Sequence, residues 1–141
     1  MSAARPHFSA VVPQFGIRDL VHTAEYYRDF LGFEIASYWD GEVVTPEPRN
    51  TPQFAIVRRD QVQVFFNRAE ESNFRTGRTE GGYDAYFHVT GIEALADELR
   101  SHGADIVDGP DERVYGQREL VVRDCNGLLL CFAEAVTESE R

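Results

Sequence analysis

The chain is poor in sulfur: among its 141 residues are two cysteines, Cys125 and Cys131, and one methionine. Two thiols suggest no disulfide framework, so the cytoplasm is the expected compartment. Long apolar runs are also missing. No stretch of about 18 such residues occurs, so no transmembrane helix is implied, and the opening MSAARPHFSA has no hydrophobic signal core. Positive charge is the third shortage. Fourteen basic side chains face 24 acidic ones, a formal net charge of −10. That balance argues against nucleic acid or an anionic membrane surface as a partner. It suits an ordinary acidic soluble protein, or one with a cationic ligand.

What the chain does have is core material and a repeat. Hydrophobic residues make up 43% of it and ten residues are Phe, enough for a buried core in one domain, residues 1–141. FGIRDLVHTAEYYRDFLGFEI, Phe15 to Ile35, has a degenerate second copy in YFHVTGIEALADELRSHGADI, Tyr86 to Ile106, 71 positions later. Each copy reads as a strand end, a loop, an amphipathic helix, a glycine stop and a new strand. Two copies are too few for a solenoid and suggest two equivalent modules with a cleft for a ligand.

Within the first copy, Val11–Ile17 alternates as a strand, and Asp19 stands as a cap before a helix over Leu20–Leu31. Leu20, Ala24, Tyr27 and Leu31 form its apolar stripe, and Gly32 is free to end it in the left-handed conformation. Strands are expected at Phe33–Trp39, Phe54–Arg58 and Gln61–Asn67, with a loop at Asp40–Pro52 and a turn at Arg59–Asp60. The second copy predicts a strand at Asp84–Val89, a helix over Ile92–Ser101 stopped by Gly103, and strands at Ile106–Val107, Glu119–Arg123 and Leu128–Ala133. Asp124–Gly127 is the last turn, and Asp108–Gln117 is read as loop. The plan is βαβββ twice, modules 8–67 and 84–135 joined by a linker over 68–83, with a polar tail over 137–141. It is an α+β protein with helices outside and curved sheet inside.

Strand alternation assigns the faces. With the apolar sets turned to the helices, Gln14, Gln63, Asp84, Tyr86, His88 and Cys131 point to the cavity, an apolar floor with a few polar groups of the kind that binds small molecules. His88 is a candidate acid or base, or a hydrogen-bonded pocket histidine. Asp84 lies about 13 Å from it along the strand, so the two form no direct dyad. Asp84 binds a ligand cation or pairs with an arginine such as Arg118. Trp39, before the Pro-rich loop, either stacks on a planar or cationic ligand or packs at a dimer seam. Tyr115 and Arg118 flank Gly116 in a loop, where Arg118 is a candidate clamp for a carboxylate or an ordinary exposed arginine. Cys131, in an apolar strand with no local histidine partner, reads as an inert buried thiol.

IRDLxxxxxYYxxxLGFE at Ile17–Glu34, VVRDCNGLLLCF at Val121–Phe132 and FAIVRRDQVQVFF at Phe54–Phe66 resemble the vicinal oxygen chelate superfamily of glyoxalase I, bleomycin-resistance proteins and extradiol dioxygenases. The likeness covers about residues 8–135, and the third segment looks closest to the bleomycin-resistance branch. The resemblance implies two βαβββ modules forming a cup, often completed in a homodimer. It also implies, for the metal enzymes of the family, one divalent ion held from the first and fourth strand of each module. Those positions fall on Val12, Asp84, Gln63 (Phe65 if the register slips by two) and Cys131. Valine has no donor atom and glutamine is a poor neutral ligand, and Asp with Cys alone makes no site. The expectation is therefore a metal-free cup for a small aromatic or cationic molecule, as in antibiotic sequestration, lined by Gln14, Trp39, Gln63, Phe65, Asp84, Tyr86, His88, Tyr115, Arg118 and Cys131. The alternative is a glyoxalase-like lyase or isomerase, or a dioxygenase, using Asp84 and His88 with a non-standard ligand set.

Overall fold

Asp19 and Gly32 bracket the first helix as the sequence predicts. In the computed structural model, which describes residues 5–70 and 82–137, the Asp19 carboxylate accepts from the His22 backbone N–H at 3.0 Å. Gly32 takes φ 75° at the other end of α1, Leu20–Leu31. Leu20, Thr23, Ala24, Tyr27 and Leu31 form its buried stripe. α2, Ile92–Ser101, has no capping side chain of its own. Glu134, far along the chain, caps it instead, accepting from the Gly91 and Ile92 N–H groups at 3.0 and 3.1 Å. A carboxylate there satisfies orphan donors and meets the positive end of the helix dipole.

The strands are β1 (Gln14–Ile17), β2 (Glu34–Trp39), β3 (Val44–Thr45), β4 (Phe54–Arg59), β5 (Val62–Arg68), β6 (Ala85–His88), β7 (Asp105–Glu112), β8 (Gln117–Arg123) and β9 (Leu129–Ala135). One sheet runs β1-β5-β4-β2-β3 and the other β6-β9-β8-β7. Apart from the short β3, both follow the same plan: the first strand lies parallel to the last, and the rest are antiparallel. Three expectations need correction. β3 interrupts the Asp40–Pro52 loop. Most of Asp108–Gln117 is strand, because β7 continues through two irregularities in its pairing with β8. The repeat runs at 72 positions, not 71, over the strand and helix start. Phe15 and Phe87 both turn to the core, as do Leu20 and Ile92, and α2 is the shorter helix, so the offset becomes 71 only at the closing glycines. The expected linker 68–83 lies mostly outside the described residues, as does most of the tail.

The two modules meet back to back through one core. Phe33 sits edge-on to Phe87 at 6.5 Å, and Phe87 stacks on Phe132 at 4.9 Å. The Tyr27 hydroxyl donates to the buried Asp124 carboxylate at 2.7 Å, and the Asn126 amide to Thr23 Oγ1 at 2.9 Å. The β8–β9 turn is thereby pinned onto α1. Arg59 bridges both helices, donating to the Leu31 carbonyl and to both Glu98 oxygens. Gly32 leaves room for that bridge, since a Cβ there would lie 2.7 Å from both Arg59 and Glu98. With the backs joined, the opposite faces of both sheets are left open, and β1 and β6 each close one edge of their own sheet.

Candidate functional site

On the open face of the second sheet, β8 places Glu119 opposite Ala133, and β9 places Cys131 opposite Tyr86. Glu119 is 0% exposed. Four donors surround it: the hydroxyls of Tyr115 at 2.5 Å, Tyr86 at 2.8 Å and Tyr83 at 3.3 Å, and Arg113 Nε at 3.1 Å. Burial pushes this carboxyl upward, but the four donors outweigh it and hold it below its ordinary range. It is thus an anion at neutral pH. Arg113 also reaches Asp108 at 2.8 Å, so Glu119, Asp108 and Arg113 together carry one net negative charge. Close approach of β7 makes this possible. Gly109, at φ 86°, lies against the Glu119 carbonyl where a Cβ would collide.

The tyrosines keep their rings toward solvent, 37%, 40% and 61% exposed at Tyr83, Tyr86 and Tyr115. Burial and the bond to Glu119 raise the Tyr86 phenol, while that bond first and burial second push Tyr115 up to about 12. None is a proton donor at neutral pH. The His88 ring meets Tyr86 edge-on at 5.4 Å. Cys131 is buried beneath, its thiol pushed up to about 12 by burial and by the Glu119 charge. That environment disfavours the thiolate that a nucleophile or a metal ligand needs.

The expected site residues therefore divide. Tyr86, His88, Tyr115 and Cys131 come together around Glu119. Gln14, Trp39, Gln63 and Phe65 share the open face of the other sheet, where Gln14 pairs with Phe65 and Trp39 with Phe54. Two need correction. Asp84 does not stand open to a ligand: its Oδ2 accepts from the Leu129 N–H at 2.8 Å, fastening β6 to β9. Arg118 alternates to the opposite face from Glu119, where it pairs with Glu134 across the ladder and helps hold that carboxyl low. It clamps nothing in the cup. Glu119 itself was missed as a site residue. A glutamate inside an otherwise apolar strand, two positions from the all-apolar Leu120–Val122, was the available signal.

Of the four positions implied for a metal, Val12 has no donor atom, Asp84 is bound to backbone, Gln63 lies on the other sheet and Cys131 resists ionisation. The residues present do not fit a divalent ion. Among the described residues, no three His, Cys, Asp or Glu side chains gather as a metal would need. A separate cleft of about 820 Å³ lies between the modules, with Leu31, Phe33, Phe87 and Phe132 inside and the Arg59–Glu98 pair among its lining residues. It is larger than any recess over Glu119, yet its main charged groups are already paired with each other. The chemistry sits on the open face.

Two βαβββ modules on this plan, sharing one core and leaving polar open faces, define a small α+β binding scaffold. The family model for the Glyoxalase/Bleomycin resistance protein/Dioxygenase superfamily matches residues 7–132, and the chain belongs to that superfamily. Solved structures of similar fold include TioX from Micromonospora sp. ML1, with TM-score 0.69, 18% identity and coverage of 92% of this chain and 100% of that one. Another is the bleomycin-binding protein of Streptomyces verticillus in complex with copper(II)-bleomycin, with TM-score 0.63, 22% identity and coverage of 95% and 100%. A superfamily member from Sphaerobacter thermophilus DSM 20745 aligns with TM-score 0.66, 21% identity and coverage of 90% and 98%. At these identities the likeness is one of fold. No curated protein matches the chain in sequence.

Proposed function

We propose that this protein is a metal-independent small-molecule binder, one domain whose modules 8–67 and 84–135 are joined by 68–83. The observation that carries the reading is the Glu119 cluster: three partly exposed tyrosine rings fixed in place by one buried carboxylate, with no residue beside them suited to ligate a metal. Aromatic faces held rigid by hydrogen bonds are good platforms for a planar ligand. The bleomycin complex of a structural relative lends support for an organic ligand on such a scaffold. A homodimer belongs to the proposal. The open face of the first sheet carries Trp39, Phe54, Ile56 and Phe65, and a second copy set against the Glu119 face would turn two open faces into an enclosed cup. Two thiols and no disulfide are in keeping with the cytoplasm.

Titration calorimetry of chelator-treated protein with an uncharged aromatic, 1-methoxynaphthalene, tests the reading. Saturable binding without added metal is expected, with sedimentation at twice the 16.0 kDa chain mass. Absence of saturable binding would count against the binder, and a 16.0 kDa species at micromolar concentration would remove the dimer.

A further inference from the structure

We propose that the Glu119 face selects organic cations bearing N–H groups, protonated amines or amidinium groups, over quaternary cations and over anions. The inference rests on the binding reading above and narrows its ligand class. Each of the three phenol protons is committed to Glu119. A phenol whose proton is spent can meet a ligand only with its oxygen lone pairs. Donation to a carboxylate also polarises the phenol oxygen and makes it the stronger acceptor. The three hydroxyls therefore present acceptors, and their rings present π faces, both of which favour a cation.

A second observation points the same way. Gln117 Oε1 is buried and has no hydrogen-bond partner among the described residues. Gln117 lies two residues before Glu119 on β8, on the same face by strand alternation and about 7 Å along it. A buried acceptor without a donor is costly, and an N–H group of a ligand seated over Tyr115 and Tyr86 would supply one. The net negative charge of Glu119, Asp108 and Arg113 excludes anions from the same place. Arg113, the cation of the group, is already divided between the two carboxylates.

Matched probes separate hydrogen bonding from charge and from ring stacking: 1-naphthylmethylammonium, its N,N,N-trimethyl analogue, 1-naphthoate and uncharged 1-methoxynaphthalene, each titrated calorimetrically into the intact protein. The ammonium should bind at least about tenfold more tightly than the trimethyl analogue, the worth of one charge-assisted hydrogen bond, and the naphthoate most weakly. Tyr86→Phe keeps the ring and removes the acceptor. It should bring the ammonium-to-trimethyl ratio toward one while leaving 1-methoxynaphthalene unchanged. Tyr115→Phe gives the same readout should the first variant fold poorly. Equal affinity for the two cations in the unmodified protein, or a ratio untouched by both variants, overturns the inference. If 1-methoxynaphthalene binds while the ammonium advantage is missing, the selectivity fails and the binder stands. If no probe binds, both fail.

Discussion

The two modules share a plan and differ on one face. Their backs are interchangeable in kind: Phe15 pairs with Phe66 on β1 and β5, and Phe87 with Phe132 on β6 and β9. Their fronts are not. Where the first sheet sets Gln14 beside Phe65, with Phe54 edge-on to it at 5.3 Å, the second sets Tyr86 beside Cys131, with Glu119 one strand further in. The backs must close one common core, so substitution there is limited to volume. The fronts carry no such duty and have diverged, one into an apolar surface and one into a charged, tyrosine-lined one. A repeat of this kind keeps its packing and spends its freedom on binding.

Substitutions on the two fronts should break this comparison unequally. Glu119→Ala leaves Arg113 and three hydroxyls around an empty centre, and about 3 kcal/mol of stability should be lost, visible as a midpoint drop in urea. Tyr27→Phe, on the shared back, strips the buried Asp124 of its hydroxyl donor at 2.7 Å and should cost about 2 kcal/mol in the same measurement. Phe65→Ala, the first module's counterpart on an already open face, should cost about 1 kcal/mol, less than either. A front that tolerated Glu119→Ala as easily as Phe65→Ala would erase the asymmetry.

Acid sharpens the same contrast. Because folding lowers the Glu119 pKa below its ordinary value of 4.5, its contribution is complete above that pH and is lost as pH falls through the folded value. Denaturant stability should therefore decline toward pH 3 more steeply in the unmodified protein than in Glu119→Gln, whereas Phe65→Ala should keep the full acid slope. Smallest of all is the Arg59–Glu98 bridge, whose side chains are about one-third exposed. Arg59→Ala should shift the melting point by no more than an exposed pair warrants, under about 1 kcal/mol.

Most of the architecture was legible because it is local. Asp19, Gly32 and the Asp124–Gly127 turn carry their conformations in their own side chains or lack of them. The two segments that most resemble the superfamily prove to hold each other, Tyr27 of one to Asp124 of the other, so their signal is one of packing. The site was legible in part. Alternation correctly sent Tyr86, His88 and Cys131 to the open face. It could not reveal that Asp84 would be taken up by the Leu129 N–H, or that Arg118 and Glu119, adjacent in sequence, would part to opposite faces with Glu119 inward. That depends on β8 running two residues earlier than its apolar core suggests and on β7 bending close at Gly109, both consequences of pairing between distant strands.

The most direct test of a metal-independent Glu119 face is a melting series. Protein stripped with chelator is melted alone and then with Ni²⁺, Zn²⁺, Mn²⁺ and Fe²⁺ in turn. A specific ion at about 100 times its dissociation constant would add roughly 2.7 kcal/mol, several degrees here. The account predicts no saturable shift with any of the four. A saturable shift with one ion, abolished by Asp84→Ala, would contradict it and return the protein to the metal enzymes of its superfamily.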